Sequence, residues 1–132
     1  PGFLLIRECI KNNIEIECLP GATALIPALV NSGLPSERFL FEGFLPVKKG
    51  RTKRLKEIAE ENRTVIFYES PHRILKTLND LSTYYNEDSS VSISRELTKI
   101  HEENFRGKIK DAIEYFEKKK PKGEFVIILS PN

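Results

Sequence analysis

The sequence predicts an α/β fold, a sheet flanked by helices, on three observations. Apolar runs of strand length alternate with segments of helical periodicity along all 132 residues. At one junction, Phe67-Tyr68-Glu69-Ser70-Pro71-His72-Arg73, strand, tight turn and helix follow in immediate succession. No internal repeat or low-complexity linker interrupts the alternation. The length suits a domain able to bury a real core.

Charged residues nearly cancel, leaving a net charge of +2, which argues against a generic polyanion binder. The two cysteines, Cys9 and Cys18, form no CxxC and have no histidine nearby. They predict small core thiols in a reducing, cytoplasmic setting and no metal site. No apolar run approaches the ~20 residues of a membrane span, so no membrane partner is expected. The chain opens Pro1-Gly2 and contains no methionine, which predicts an internal or trimmed piece of a larger protein.

Residues Phe3 to Lys11 predict a helix with Ile6, Cys9 and Ile10 on one face, ended by Asn12-Asn13. Ile14 to Leu19 alternates apolar and acidic residues, the pattern of a half-exposed strand that Pro20-Gly21 stops. Ala22 to Ser32 is apolar nearly all round and predicts a buried helix capped by Gly33. Pro27 requires that the first turn of that helix begin near Ala24 or that the helix bend. Phe39 to Leu45 predicts a second strand. Pro46 to Arg54 is a polar loop running into a helix with Leu55, Ile58 and Ala59 inward.

Thr64 to Tyr68 reads as a buried strand, and Ile74, Leu75, Leu78, Leu81 and Tyr85 recur at helical spacing after it. Ser70 is a natural N-cap, and Pro71 suits the first helical position, where its missing N–H has no partner to lose. Asn86 to Ser90 is a turn cluster, Val91 to Ser94 a strand, and Ile100 to Arg106 an extended segment ending at Gly107. Ile109, Ala112, Ile113 and Phe116 mark an amphipathic helix, and Glu124 to Leu129 is the last strand. The one plausible domain boundary is Leu19-Pro20-Gly21.

Three clusters carry the candidate chemistry. Lys48, Lys49, Arg51, Lys53 and Arg54 crowd onto a glycine-containing loop at a helix start and predict a local positive potential suited to phosphates. Pro20-Gly21-Ala22-Thr23 is a tight turn into a helix, where small residues let a ligand reach backbone N–H groups. Glu69, His72 and Arg73 follow one strand, and Arg95, Glu96 and Lys99 follow another. Parallel neighbouring strands would converge these six into a proton acceptor, an orienting group and an anion clamp. An ordinary structural ion-pair network accounts for the same residues.

Five blocks, in order, resemble a known family: Leu19-Pro20-Gly21-Ala22-Thr23-Ala24, Ser32-Gly33-Leu34-Pro35, Arg38 to Pro46 with its basic tail, Phe67 to Arg73, and Arg95-Glu96-Leu97-Thr98-Lys99. They are similar to the bacterial small-subunit ribosomal RNA cytidine 2′-O-methyltransferases of the tetrapyrrole methylase superfamily. The resemblance implies a two-domain subunit that binds S-adenosylmethionine between its domains, usually as a homodimer. On that reading residues 1–19 are the remnant of the cofactor-binding first domain, and residues 20–132 are the second, C-terminal methylase domain. Pro20, Gly21, Ala22 and Thr23 match the cofactor-facing turn, Lys48 onward would grip small-subunit ribosomal RNA, and Glu69 or His72 would take the proton. The main cofactor loop of the family is missing. A tetrapyrrole-like small-molecule methylase and a non-catalytic RNA-binding module remain as alternatives.

Overall fold

The structure is a computed structural model that describes residues 2–86 and 88–132, so expectations resting on Pro1, and on Glu87 in the Asn86 to Ser90 turn, fall outside it. In chain order the elements are α1 (Gly2–Lys11), α2 (Leu25–Ser32), β1 (Phe39–Phe44), α3 (Arg51–Ala59), β2 (Thr64–Glu69), α4 (Ile74–Leu81), β3 (Ser90–Arg95), β4 (Glu103–Lys108), α5 (Ile109–Glu117) and β5 (Phe125–Leu129). The strands form one mixed sheet in the order β1-β2-β5-β3-β4. β1 and β2 run parallel, while β5 is antiparallel to both β2 and β3.

β5 holds the centre because its sequence can. Phe125-Val126-Ile127-Ile128-Leu129 is apolar at every position and buried at every position, as a strand covered on both faces must be. Phe125, Ile127 and Leu129 point to the face covered by α3, α4 and α5, where Leu55, Ile58, Ile74, Leu78, Ala112 and Phe116 meet them. Val126 and Ile128 point to the other face, under Ala28 and Leu29 of α2. Each of these side chains larger than alanine stabilises the fold by roughly 1.5–3 kcal/mol.

α2 starts and stops as its residues dictate. Ala24 is the N-cap, so Pro27 falls in the first turn, where its missing N–H interrupts no helical bond. Gly33 ends the helix at φ 70°, the left-handed cap that favours glycine. The helix is less buried than its composition suggests: Ile26 and Val30 face outward, because a single sheet face covers a single side of it.

Several expectations are corrected. Ile14 to Leu19 forms no strand; alternation supplies a face, but a strand also needs a pairing neighbour, and none stands beside it among the described residues. Its apolar members Ile14, Ile16 and Leu19 are exposed, and α1 has no buried residue. Cys18 is exposed and Cys9 only half-buried, so neither thiol is a core residue. α4 begins at Ile74 rather than at Ser70-Pro71. The Ser70 carbonyl accepts from the N–H groups of both Arg73 and Ile74 at 3.1 Å, closing a turn over 70–73 before the helix starts.

β1 contains a feature that decides the site. Its register against β2 slips between Phe41 and Phe44, with Gly43 at φ 65°. Glycine takes that conformation without a Cβ clash, and the bulge returns Phe44 to the face that Phe41 already occupies. Both rings then pack on Tyr68, with centroids 5.1 and 5.6 Å away.

Candidate active site

A cleft of about 510 Å³ opens where β2 ends and β5 begins. Ala24, Phe44, Tyr68, Glu69, Ser70, Pro71 and the stretch Gly123 to Val126 line it. That volume falls within the ~300–1,000 Å³ of small-molecule sites, and Phe44 and Tyr68 give it an apolar wall. In the sequence, Phe44 and Tyr68 belong to two predicted strands, Phe39 to Leu45 and Thr64 to Tyr68, and the apolar runs themselves do not mark them as a cleft wall. Gly43 inside a strand pattern is the signal that a bulge turns these rings outward.

Glu69 reaches this cleft from the end of β2, yet its carboxylate is fully engaged. The Ser70 N–H donates to Oε1 at 2.7 Å, Arg73 Nε donates to Oε1 at 2.8 Å, and the Thr77 hydroxyl donates to Oε2 at 2.7 Å. Its side chain is fully buried. These donors engage the carboxylate that the sequence offers as a candidate base and make Glu69 the anchor of the 70–73 turn. His72, carried on that turn one residue beyond Pro71, is exposed and has no hydrogen bond or ion pair among the described residues.

The six strand-end residues do not form one cluster. Glu69 and Arg95 stand at the same end of the sheet, each directly opposite Phe125 in the register. One intervening strand puts them about 10 Å apart. Arg95 donates instead to Glu103 Oε2 at 3.0 Å, to the Lys122 carbonyl at 2.7 Å and to the His101 carbonyl at 3.2 Å. Burial raises the Glu103 carboxyl, but hydrogen bonds from Lys119 and Tyr115 outweigh it and leave the group below its ordinary value.

Glu96 and Lys99 make a third group, joined to the cleft through its lining residue Glu124. Lys99 Nζ donates to Glu96 Oε1 at 2.9 Å and to Glu124 Oε2 at 3.0 Å, while Glu96 Oε1 also accepts from the Glu124 N–H at 2.9 Å. The Lys99 ammonium, and next the Glu124 N–H, hold the Glu96 carboxyl below its usual range. Backbone strain is concentrated here: Glu96 and Thr98 adopt φ 50° and 66°, unusual for residues with a Cβ.

The basic loop divides. Lys48 and Lys49 are exposed and unpaired among the described residues. Arg51 is corrected: it is buried at 7% exposure, so it is not a surface phosphate contact. Its Nε donates to Asp80 Oδ2 at 2.8 Å, Nη2 to Thr77 Oγ1 at 2.9 Å, and Nη1 to the Pro46 carbonyl at 3.0 Å. Arg54 lies 3.4 Å from Glu42 and 2.9 Å from Glu57, and Lys53 lies 3.8 Å from Glu57. Internal acids therefore offset part of the positive potential expected of this run.

Pro20, Gly21, Ala22 and Thr23 approach α2 as exposed chain, and only Ala24 of that turn reaches the cleft. No group of His, Cys, Asp and Glu side chains among the described residues could hold a metal ion, and no described helix is long and apolar enough to cross a membrane.

Comparison with known proteins decides the family. The family described as tetrapyrrole (corrin/porphyrin) methylases matches residues 1–113. The chain belongs to the tetrapyrrole methylase family. Within it, the chain is 48% identical over 130 residues to the ribosomal RNA small subunit methyltransferase I of Thermotoga maritima, covering 98% of this chain and 58% of that protein. It is 49% identical over 131 residues to the protein of the same name from Synechocystis, covering 98% and 47%. The chain thus spans about half the length of these curated relatives.

Solved tetrapyrrole methylases share the fold at low identity. A cobalt precorrin-4 methyltransferase of cobalamin biosynthesis superposes with a TM-score of 0.71 at 16% identity, over 98% of this chain and 57% of that one. A uroporphyrin-III C-methyltransferase from Thermus thermophilus, complexed with S-adenosyl homocysteine, gives 0.61 at 14% identity, over 96% and 58%. Identities this low speak for the fold alone.

Proposed function

We propose that this chain is the C-terminal part of an S-adenosylmethionine-dependent methyltransferase that modifies a cytidine ribose 2′-hydroxyl of small-subunit ribosomal RNA. The observation that carries the proposal is the pairing of near-half identity to the ribosomal RNA small subunit methyltransferases I with an exposed loop whose Lys48 and Lys49 side chains have no partner among the described residues.

The cleft fits half of a cofactor site. Phe44 and Tyr68 offer aromatic surface, and the small Ala24 leaves the turn into α2 approachable. When bound there, S-adenosylmethionine supplies a methyl group on a positively charged sulfur. Pro20 to Thr23 would hold its near side, and the preceding domain would close the far side.

The chain's own residues then divide the work. Lys48 and Lys49 bind RNA phosphates, with Lys53 and Arg54 adding charge at the edge. His72 accepts the 2′-hydroxyl proton at a ring nitrogen, and Glu69 and Arg73 hold the turn that presents it. Glu96 and Lys99 hold Glu124 at the other side of the cleft, and Arg95 ties the end of β3 to Glu103. Residues 1–19 belong to the preceding domain, which supplies the cover that the exposed Phe3, Leu4, Leu5, Ile6 and Ile10 of α1 lack here. The resemblance implies that the whole protein works as a homodimer, and we take its setting to be the cytoplasm, where ribosomal RNA is found.

The test is methyl transfer by the full-length protein to small-subunit ribosomal RNA lacking the modification, mapped by resistance of the adjacent phosphodiester to alkali. Methylation of one cytidine is the expected result. A protein that leaves the RNA unmodified but methylates a uroporphyrin-type substrate would overturn the proposal.

A further inference from the structure

Two loops carry the RNA-facing residues of the proposed function, and they are distant in sequence. Residues 46–50 carry Lys48 and Lys49, and residues 70–73 carry His72. A buried chain of hydrogen bonds joins them. Arg51 Nη2 donates to Thr77 Oγ1 at 2.9 Å, and Thr77 Oγ1 donates to Glu69 Oε2 at 2.7 Å. Glu69 Oε1 receives Arg73 Nε at 2.8 Å and the Ser70 N–H at 2.7 Å.

Both arginines also reach back to one place. Arg51 Nη1 donates to the Pro46 carbonyl at 3.0 Å, and Arg73 Nη1 approaches the Leu45 carbonyl at 3.4 Å. These consecutive carbonyls mark the point where β1 passes into the basic loop. The two loops are therefore gripped through one network, whose middle member is Thr77, at 0% exposure.

The chemistry fixes every direction in this network. A guanidinium only donates, a carboxylate only accepts, and the Thr77 hydroxyl has one proton to give and lone pairs to receive with. The proton must go to Glu69, and the lone pair must take Arg51. Asp80 beside Arg51 and Arg73 beside Glu69 complete the charge pairing, at 2.8 and 2.7 Å. Satisfied buried networks of this kind hold one arrangement, because any other leaves a buried polar group unpaired.

We propose that Thr77 is a positioning residue for RNA methylation: its hydroxyl, bridging Arg51 and Glu69, locks the Lys48-Lys49 loop and the His72 turn into one fixed substrate-facing surface. The proposal rests on the functional reading above. Phosphate grip and proton acceptor must be in register with the same nucleotide, and a misplacement of about 1 Å costs on the order of 100-fold in rate.

Two near-isosteric variants of the full-length protein separate the hydroxyl from the packing. Thr77→Val keeps the shape and removes both hydrogen bonds, whereas Thr77→Ser keeps both and removes a methyl group. Below the unfolding temperature of every variant, Thr77→Val should lower kcat for ribosomal RNA at least tenfold, on the order of a partial misalignment. Its S-adenosylmethionine affinity should change less than about twofold, and Thr77→Ser should recover most of the rate. Equal kcat in wild type and Thr77→Val, or a Thr77→Ser as slow as Thr77→Val, would overturn the assignment.

A second measurement needs no activity. Amide hydrogen exchange should accelerate together in residues 46–50 and 70–73 of Thr77→Val, and in neither loop of Thr77→Ser. Acceleration confined to α4 around residue 77 overturns the coupling whatever the substrate is. An inactive wild type would instead count against the functional reading, and the exchange result would still judge the bridge.

Discussion

Arg73 holds Glu69 from one turn away, with Nε 2.8 Å and Nη2 2.7 Å from the same carboxylate oxygen, Oε1. This pairing assigns the two polar residues of the turn to different tasks. Glu69 is enclosed and structural, while His72 is left facing outward. Glu69→Gln keeps the shape but replaces one acceptor oxygen with a donor that meets the donors already there. We expect it to destabilise the fold by roughly 1–3 kcal/mol, the cost of a buried polar group left unpaired. His72→Asn should leave stability within about 0.5 kcal/mol. It should lower methylation by roughly 100- to 10,000-fold, as loss of acid–base help does. Denaturant midpoints and methyl-transfer rates on both variants check the division; a destabilised His72→Asn would contradict it.

The basic loop predicts a second contrast. Lys48→Glu and Lys49→Glu should weaken RNA binding without altering the unfolding midpoint, because exposed charges contribute little to stability. Each should flatten the dependence of log affinity on log salt by about one unit for every phosphate the loop no longer neutralises. Arg51→Ala should instead lower the unfolding midpoint. It strips Asp80, Thr77 and the Pro46 carbonyl of their donor, at a cost of about 3 kcal/mol or more. Salt titrations of RNA affinity beside thermal unfolding would expose an error in either half.

Gly123 should resist substitution. Its φ of 92° disfavours any side chain, and a Cβ there would stand 2.5 Å from the Glu96 side chain. Glu96 has little room to retreat, being held by Lys99 and the Glu124 N–H. Gly123→Ala is expected to cost roughly 1–3 kcal/mol, the usual range for a strained backbone position. Repeating the change in a Glu96→Ala background should recover the part due to the clash and leave the part due to φ. Identical costs in both backgrounds would show that the clash contributes nothing.

Alkaline stability should depend on Tyr85. Its hydroxyl donates to the Ile58 carbonyl at 2.9 Å, and burial, reinforced by the Glu61 charge, pushes the phenol well above its ordinary value of 10.0. The folded state then keeps a proton that the unfolded chain releases. The contribution is fully present below pH 10 and is lost as pH rises from there toward the folded value. Tyr85→Phe should lower stability at neutral pH by about 1 kcal/mol and flatten the decline above pH 10. Unfolding free energies at pH 8 and above pH 10 supply the comparison.

The sequence by itself determined where regular structure forms and why it stops. The helix ending at Gly33, the turn after Glu69, the amphipathic face of Ile109, Ala112 and Phe116, and the wholly apolar β5 were all legible. Each rests on interactions within a few residues: a cap, a period, a run with no polar face. The basic loop and the His72 turn were legible as candidates for the same reason. Only the tertiary structure decided the partners. Antiparallel β5 inserts between β2 and β3, so Glu69 and Arg95 oppose the same Phe125 but are bonded to different groups. α4 brings Thr77 and Asp80 to Arg51 and turns a surface cation into a buried tie. The Ile14 to Leu19 alternation lacks a neighbour and forms no strand. A residue's period and charge state what it can pair with; which partner it meets depends on chain folded back from far away in sequence, and no local pattern records that choice.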